Sequence, residues 1–328
     1  MILPRPRVFR SLSEVPRDFG PCAVTIGNFD GVHVGHQAIM KRVVALAAGR
    51  GWKPAVLTFN PHPAKVVAPS RAPRIIMTLD QRAEVMGELG IEEVLMLPFT
   101  RGLSQLSPEQ FAKTVLVDAM QVRAVLVGED FRFGHQQAGD TNLLTELGAK
   151  YGFEVDPIDA VNVRGERVSS SLVREMTLAG RVNRACRLLG RPFALEGTVV
   201  KGYGIGHKQT VPTLNLRPST EVWPADGVYV TRTCDLDSGG TAKSRVWKSI
   251  SNIGTRPTFD GQELTIETYL LEPLVCDAPP RIRVEFLWRV RDERKFATPA
   301  VLKEQILRDV DVAQKYFQRT AGKGRMST

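Results

Sequence analysis

Cysteine is scarce: Cys22, Cys186, Cys234 and Cys276 are the only four in 328 residues, and no two form a CxxC pair. That excludes a disulfide scaffold and argues against a zinc site; free thiols in a reducing cytoplasm fit best. Long apolar runs are missing too. The longest candidate, Val43 to Ala48, stops at Gly49-Arg50, well short of the roughly 18 residues that suggest a membrane span. The N-terminal MILPRPRVFR is basic but has neither an apolar core nor a small-residue cleavage site, so no secretory signal is read there. Aromatics are only 7% and scattered, and the 44 Lys and Arg are spread along the chain, with Arg319, Lys323 and Arg325 as one loose basic end. A nucleic-acid surface would need a concentrated basic stripe with interleaved aromatics, so no nucleic acid and no membrane is expected as a partner.

What is present is ordinary for a folded chain: 43% hydrophobic and 24% charged residues, which rules out collagen and general disorder. At roughly 150 residues per domain the length suggests two domains. The net charge of +9 suits a protein that binds or tolerates anions, with phosphorylated small molecules as one class. Nothing in the sequence sets the oligomeric state beyond a monomer or weak homo-oligomer.

The first half alternates apolar strands with amphipathic helices. Strands are expected at Cys22–Ile26, Ala55–Phe59, Glu93–Leu97 and Ala124–Val127. Thr78 with Gln81 forms a capping box, Ser107-Pro108 opens a helix to about Met120, and Asp140 starts one that Gly152 ends. This alternation predicts an α/β domain with a parallel sheet and helices on both faces. Two helices follow, over about Ser171–Ala179 and Val182–Leu189, and from Leu195 the chain reads as strands: Leu195–Lys201, Thr213–Leu216, Val228–Thr233, Val246–Ile250, Thr265–Leu271 and Arg281–Trp288. Those six predict a small antiparallel β-barrel, closed by a last helix from Thr298-Pro299 to about Phe317. The boundary is expected near Gly190, giving domains 1–190 and 191–328.

Histidine is the informative scarcity. There are five, and two fall in one turn, Thr25 to Gln37, TIGNFDGVHVGHQ. A strand runs into a loop with Gly27, Gly31 and Gly35, and a helix follows. Glycine lets backbone approach a ligand, and the helix start offers free N–H groups and a positive dipole end to a phosphate. His33 and His36 project to one side, where imidazoles can donate to a phosphoryl group as charge builds on it. The plainer alternatives are a glycine turn with incidental histidines, or a metal site, which lacks a nearby third ligand.

In the second half, Gly202, Gly204 and Gly206 alternate in KGYGIGH. Such a loop either folds its amides around phosphates or is a flexible hairpin turn. Thr213 and Asn215, two apart on a strand, point to one face. Both are oxygen ligands suited to Mg²⁺, unless they only form an exposed polar face. Glu267 sits within the strand TIETYLL, where a carboxylate usually faces solvent.

Gly27 to His36, GNFDGVHVGH, resembles the HxGH motif of the nucleotidyltransferase superfamily, and its longer form resembles that of the bacterial bifunctional riboflavin kinases/FAD synthetases. Thr58-Phe59-Asn60-Pro61-His62-Pro63 resembles the family's TFxPHP, Gly128 to Gly134 its GxDFRFG, and Val168 to Arg174 its ISSTxIR. Pro212-Thr213-Leu214-Asn215 resembles PTAN, with Leu214 in place of alanine and Thr210 and Val211 where the family has a glycine and an aromatic. Asp226 to Tyr229 and Ser251 to Phe259 resemble the GVY and NIGxRPTF segments. The resemblance runs from about Val24 to Phe317. It implies a Rossmann-like nucleotidyltransferase domain that adenylylates FMN to FAD with ATP, releasing pyrophosphate, followed by a six-stranded barrel with a C-terminal helix that phosphorylates riboflavin to FMN.

The resemblance also implies residue roles. His33 and His36 would stabilise charge on the reacting phosphates, and Gly27, Asn28, Phe29, Gly35, Ser170 and Arg174 would bind ATP. Asn60, Pro61, His62, Asp130 and Phe131 would hold flavin. In the kinase, Gly202, Gly204 and Gly206 would bind ATP, Thr213 and Asn215 the Mg²⁺ that accompanies it, and Glu267 would be the general base.

Overall fold

The computed structural model describes residues 5–200, 213–237, 245–258, 261–274 and 277–323. The chain divides into two compact units, Met1–Ser170 and Ser171–Thr328.

In the first unit the strands are β1 (Arg7–Phe9), β2 (Cys22–Ile26), β3 (Lys53–Asn60), β4 (Glu93–Pro98), β5 (Val122–Gly128) and β6 (Glu154–Ile158). They form one sheet in the order β1-β4-β3-β2-β5-β6, parallel throughout. From β2 the chain moves outward through β3 to β4, then resumes on the other side at β5. The carboxyl ends of β2 and β5 therefore flank the point where strand order reverses, the crevice in which open α/β sheets bind ligands.

Helices α1 (Val34–Arg50), α2 (Pro63–Val67), α3 (Leu79–Glu88), α4 (Arg101–Ser104), α5 (Pro108–Phe111), which continues as a wider π turn over Ala112–Ala119, and α6 (Thr141–Tyr151) connect them. Both capping boxes expected from sequence form, Thr78 with Gln81 and Ser107 with Gln110. Buried strand residues face both ways. Val24, Leu57, Leu95 and Val125 pack under Leu116 and Leu144, while Ala23, Val56, Val94 and Ala124 pack under Met40 and Val43 of α1 and Met86 of α3. A small hairpin, β7 (Asn162–Val163) and β8 (Glu166–Arg167), precedes α7 (Ser170–Leu178) and α8 (Val182–Leu189).

In the second unit β9 (Phe193–Val200), β10 (Thr213–Pro218), β11 (Gly227–Asp235), β12 (Val246–Thr258), β13 (Gly261–Leu270) and β14 (Arg281–Asp292) close into an antiparallel barrel, as the strand spacing predicts. Leu195, Leu214, Leu216, Ile266, Leu270, Val284 and Phe286 are buried. Among them runs a chain of hydroxyls, Thr233, Ser249, Thr231, Ser251 and Thr268, joined by hydrogen bonds of 2.8 Å. Each hydroxyl has at least one partner in the chain, so the polar atoms are satisfied away from water. The last helix, α9 (Pro299–Lys323), lays Ala313 on Val228, Val230 and Ile250. Asp309 fixes it there, accepting from Arg291 Nη2 and Gln305 Nε2, each at 2.7 Å.

Candidate active sites

The turn after β2 is the most constrained stretch of the first unit. Phe29 and Val32 hold positive φ of 49° and 39°, conformations that side-chain-bearing residues adopt only when their surroundings enforce them. The enforcing bonds are visible. Asn28 O accepts from Arg82 Nη1 of α3 at 2.7 Å and from Thr58 Oγ1 of β3 at 3.2 Å. The Asp30 carboxylate accepts the N–H groups of Ile76 and Met77 at 3.1 Å. Asp30 O accepts from Ser170 Oγ at 2.8 Å. Ser170 thus holds the turn from outside.

His33 is the N-cap of α1. Its Nδ1 accepts the N–H of His36 at 3.3 Å, so in the neutral ring the proton lies on Nε2. The two imidazoles stack with centroids 3.6 Å apart, and the edge of His36 meets the Phe29 ring. Gly35 leaves room for this, since a Cβ there would lie 3.2 Å from the His33 ring and press on it. Burial, then the positive charge of His33 and Arg82, push His36 well below the ordinary imidazole value. At neutral pH His36 is an uncharged donor.

Among the described residues of the first unit, four buried side-chain atoms have no hydrogen-bond partner: Thr25 Oγ1, Asn28 Oδ1, His36 Nδ1 and Arg82 Nε. Asn28 and His36 belong to this turn, Arg82 is bonded to it, and Thr25 lies near the end of β2 just before it. Buried polar atoms are rarely left unpaired, so their gathering at one place marks where a polar ligand belongs.

Asn60, Pro61, His62, Asp130 and Phe131 lie at and just after the carboxyl ends of β3 and β5. Asn60 ends β3 and Pro61 follows it, both exposed. His62 N-caps α2, accepting the N–H of Ala64 at 3.2 Å. Asp130, after β5, pairs with Arg167 Nη2 at 2.8 Å. Phe131 is half-buried and stacks on Phe133, a core residue. Arg174 is half-buried on α7, which begins at the unit boundary. Sequence reasoning missed Arg82 and Thr58 as holders of the turn.

On the barrel, Leu214 is buried, which turns Thr213 and Asn215 to the outer face, as their spacing predicts. Ile266 and Thr268 are buried on either side of Glu267, which is half-buried and outward. Pairing places Glu267 directly across from Asn215 of β10 and from Asn252 of β12. A carboxylate, two amides and a hydroxyl therefore share one outer patch. Gly202, Gly204 and Gly206 lie outside the described residues.

A parallel sheet with a phosphate-type turn at its switch point, followed by a closed barrel bearing an outward carboxylate, defines a two-unit nucleotide-using transferase. Comparison with known proteins narrows this. Residues 15–172 match the family model for FAD synthetase and residues 189–317 that for riboflavin kinase. The bifunctional riboflavin kinase/FMN adenylyltransferase of Escherichia coli K12 is 33% identical, covering 96% of this chain and 98% of its own. That of Pseudomonas fluorescens is 36% identical, covering 94% and 97%. A solved structure described as a macrolide-efflux protein from Streptococcus pneumoniae superposes with a TM-score of 0.84 at 25% identity, covering 95% of this chain and 99% of that one. Among the described residues here, no helix is long and apolar enough to cross a membrane. The chain belongs to the bifunctional riboflavin kinase/FMN adenylyltransferase family.

Proposed function

We infer that the chain converts riboflavin to FAD in two steps with two molecules of ATP, one at each site. The observation that carries the adenylyl-transfer half is the gathering of four unpartnered buried polar atoms around the Gly27–His36 turn.

In the first step the riboflavin 5′-hydroxyl oxygen attacks the γ-phosphorus of ATP, the bond to the β-phosphate oxygen breaks, and ADP leaves. Glu267 takes the hydroxyl proton. Its cross-strand neighbours Asn215 and Asn252 restrict how the carboxylate can turn. Thr213 and Asn215 supply hard oxygen donors on the outward face, a set that fits Mg²⁺ held mainly by substrate phosphates. When bound, Mg²⁺ would neutralise charge on those phosphates.

In the second step a phosphate oxygen of FMN attacks the α-phosphorus of ATP and pyrophosphate leaves. No protein nucleophile is needed. His33 and His36 donate to the phosphoryl oxygens, and the turn's N–H groups and the start of α1 receive the triphosphate. Asn60, Pro61, His62, Asp130 and Phe131, on neighbouring loops, bound the flavin. Most of the acceleration then comes from positioning and preset donors.

The functional boundary is put near Gly190. The cytoplasm is the proposed location, in keeping with the free thiols of Cys22, Cys186 and Cys234.

The test is chromatographic. The protein is incubated with ATP and Mg²⁺, once with riboflavin and once with FMN. FMN and FAD are expected from the first and FAD from the second. FAD only from supplied FMN would remove the kinase half, and no new flavin from folded protein would remove both.

A further inference from the structure

One residue bonded to the Gly27–His36 turn has no part in the chemistry described so far. Arg82 is 6% exposed on α3. Its Nη1 donates to Asn28 O at 2.7 Å, and its Nε is buried without a partner. Asp30, the acid acting on it, is already engaged with the N–H groups of Ile76 and Met77. Burying a guanidinium with a donor unused is unfavourable, and a role that needs the charge at that place explains it.

We propose that Arg82 is a positioning residue for adenylyl transfer: it clamps the Gly27–Asp30 turn in its phosphate-receiving shape. The proposal rests on the adenylyl-transfer reading of this turn. The clamp follows from the bond to Asn28 O, which fixes the residue preceding the strained Phe29. The charge of Arg82 adds to the depression of His36, after burial and His33. The titratable or charged groups acting on His36 are His33, on the same turn, and Arg82, reaching in from α3. Asp30, also on the turn, acts on Arg82. A fixed cation disfavours a second cation beside it. Arg82 stays charged at any working pH, so it biases His36 without titrating itself. An anionic triphosphate entering the turn would offset that bias, and the donors would strengthen as charge develops.

The test uses the full chain with R82Q, R82K and H36A. R82Q is expected to lower kcat for FMN-to-FAD conversion about 10- to 100-fold, with KM for FMN changing about threefold or less. Riboflavin-to-FMN conversion in the same chain should be unaffected. Histidine-ring NMR should find His36 protonating at a higher pH in R82Q than in wild type. R82K retains the cation, so the His36 titration should stay as in wild type and most of the rate should return. An R82Q defect that appears only as a raised KM for FMN, or that reaches riboflavin phosphorylation as well, would reduce Arg82 to a structural role and overturn the proposal. So would wild-type FAD synthesis in R82Q. If R82Q fails to fold, R82M takes its place, with the same expected and overturning results. FAD synthesis surviving in H36A would instead overturn the reading of the site itself.

Discussion

The two candidate sites are built in opposite ways. In the α/β unit the donors lie on a loop whose every turn is fixed from elsewhere: Arg82 from α3, Thr58 from β3, the amides of Ile76 and Met77, and the Ser170 hydroxyl. In the barrel unit Glu267 lies on a regular strand, where pairing sets it between Asn215 and Asn252. The chemistry accounts for the contrast. Adenylyl transfer to a phosphate already has its nucleophile, so the protein's task is a preset cradle of donors, and a cradle must be rigid. Phosphoryl transfer from ATP to a neutral hydroxyl also needs one base, and a regular strand can hold one base well.

The contrast can be broken at either end. The largest effect is expected from Glu267→Gln, which should cut FMN formation by about 10²- to 10⁴-fold and leave FMN-to-FAD conversion intact in a flavin chromatogram. His36→Ala should lower FAD formation by about 10²- to 10³-fold while FMN accumulates. Equal damage to both activities by either change, in folded protein, would mean the sites are not separate. Thr58→Val removes one of the two side-chain donors to Asn28 O and leaves Arg82 in place. Steady-state FAD synthesis should fall only roughly two- to tenfold.

Two stability measurements sharpen the same comparison. Ser251 lies mid-chain among the barrel hydroxyls, bonded to Thr231 and Thr268. Ser251→Ala should cost about 1–3 kcal/mol in denaturant unfolding, felt by the barrel and not by FMN-to-FAD conversion. His36 gives the first unit a pH dependence of its own. Its folded value is depressed, whereas the unfolded ring takes a proton near about 6.5. Between those values the unfolded state binds more protons, so stability rises with pH there and is lost as pH falls below about 6.5. Unfolding at pH 7.5 and 5.5 should therefore show a smaller acid loss in His36→Gln than in wild type.

Much of this was legible in the sequence, for identifiable reasons. The central strands β2 to β5 are buried on both faces and read as apolar runs. The caps announce themselves chemically, as Thr78 and Ser107 do. Thr213, Asn215 and Glu267 fall on the outer face because side chains alternate. What escaped was whatever depends on partners distant in the chain. β1 is three residues after a proline and arginine, and β6, Glu154–Ile158, carries two acids and a proline. Both are edge strands, where exposure erases the apolar signal. Arg82 reads as a solvent-facing helical arginine, and only tertiary packing turns it inward. Asn252 could be placed beside Glu267 only through the β12–β13 register, which no local pattern specifies.

Complementation tests the separation of the two sites most directly. Glu267→Gln and His36→Ala proteins are each incubated with riboflavin, ATP and Mg²⁺, then mixed. Neither alone should make FAD beyond a trace. Together they should make it, the His36 variant supplying FMN that the Glu267 variant adenylylates. A mixture that makes no FAD while His36→Ala still releases FMN, or a single variant that makes FAD as wild type does, would contradict two independent sites acting in sequence.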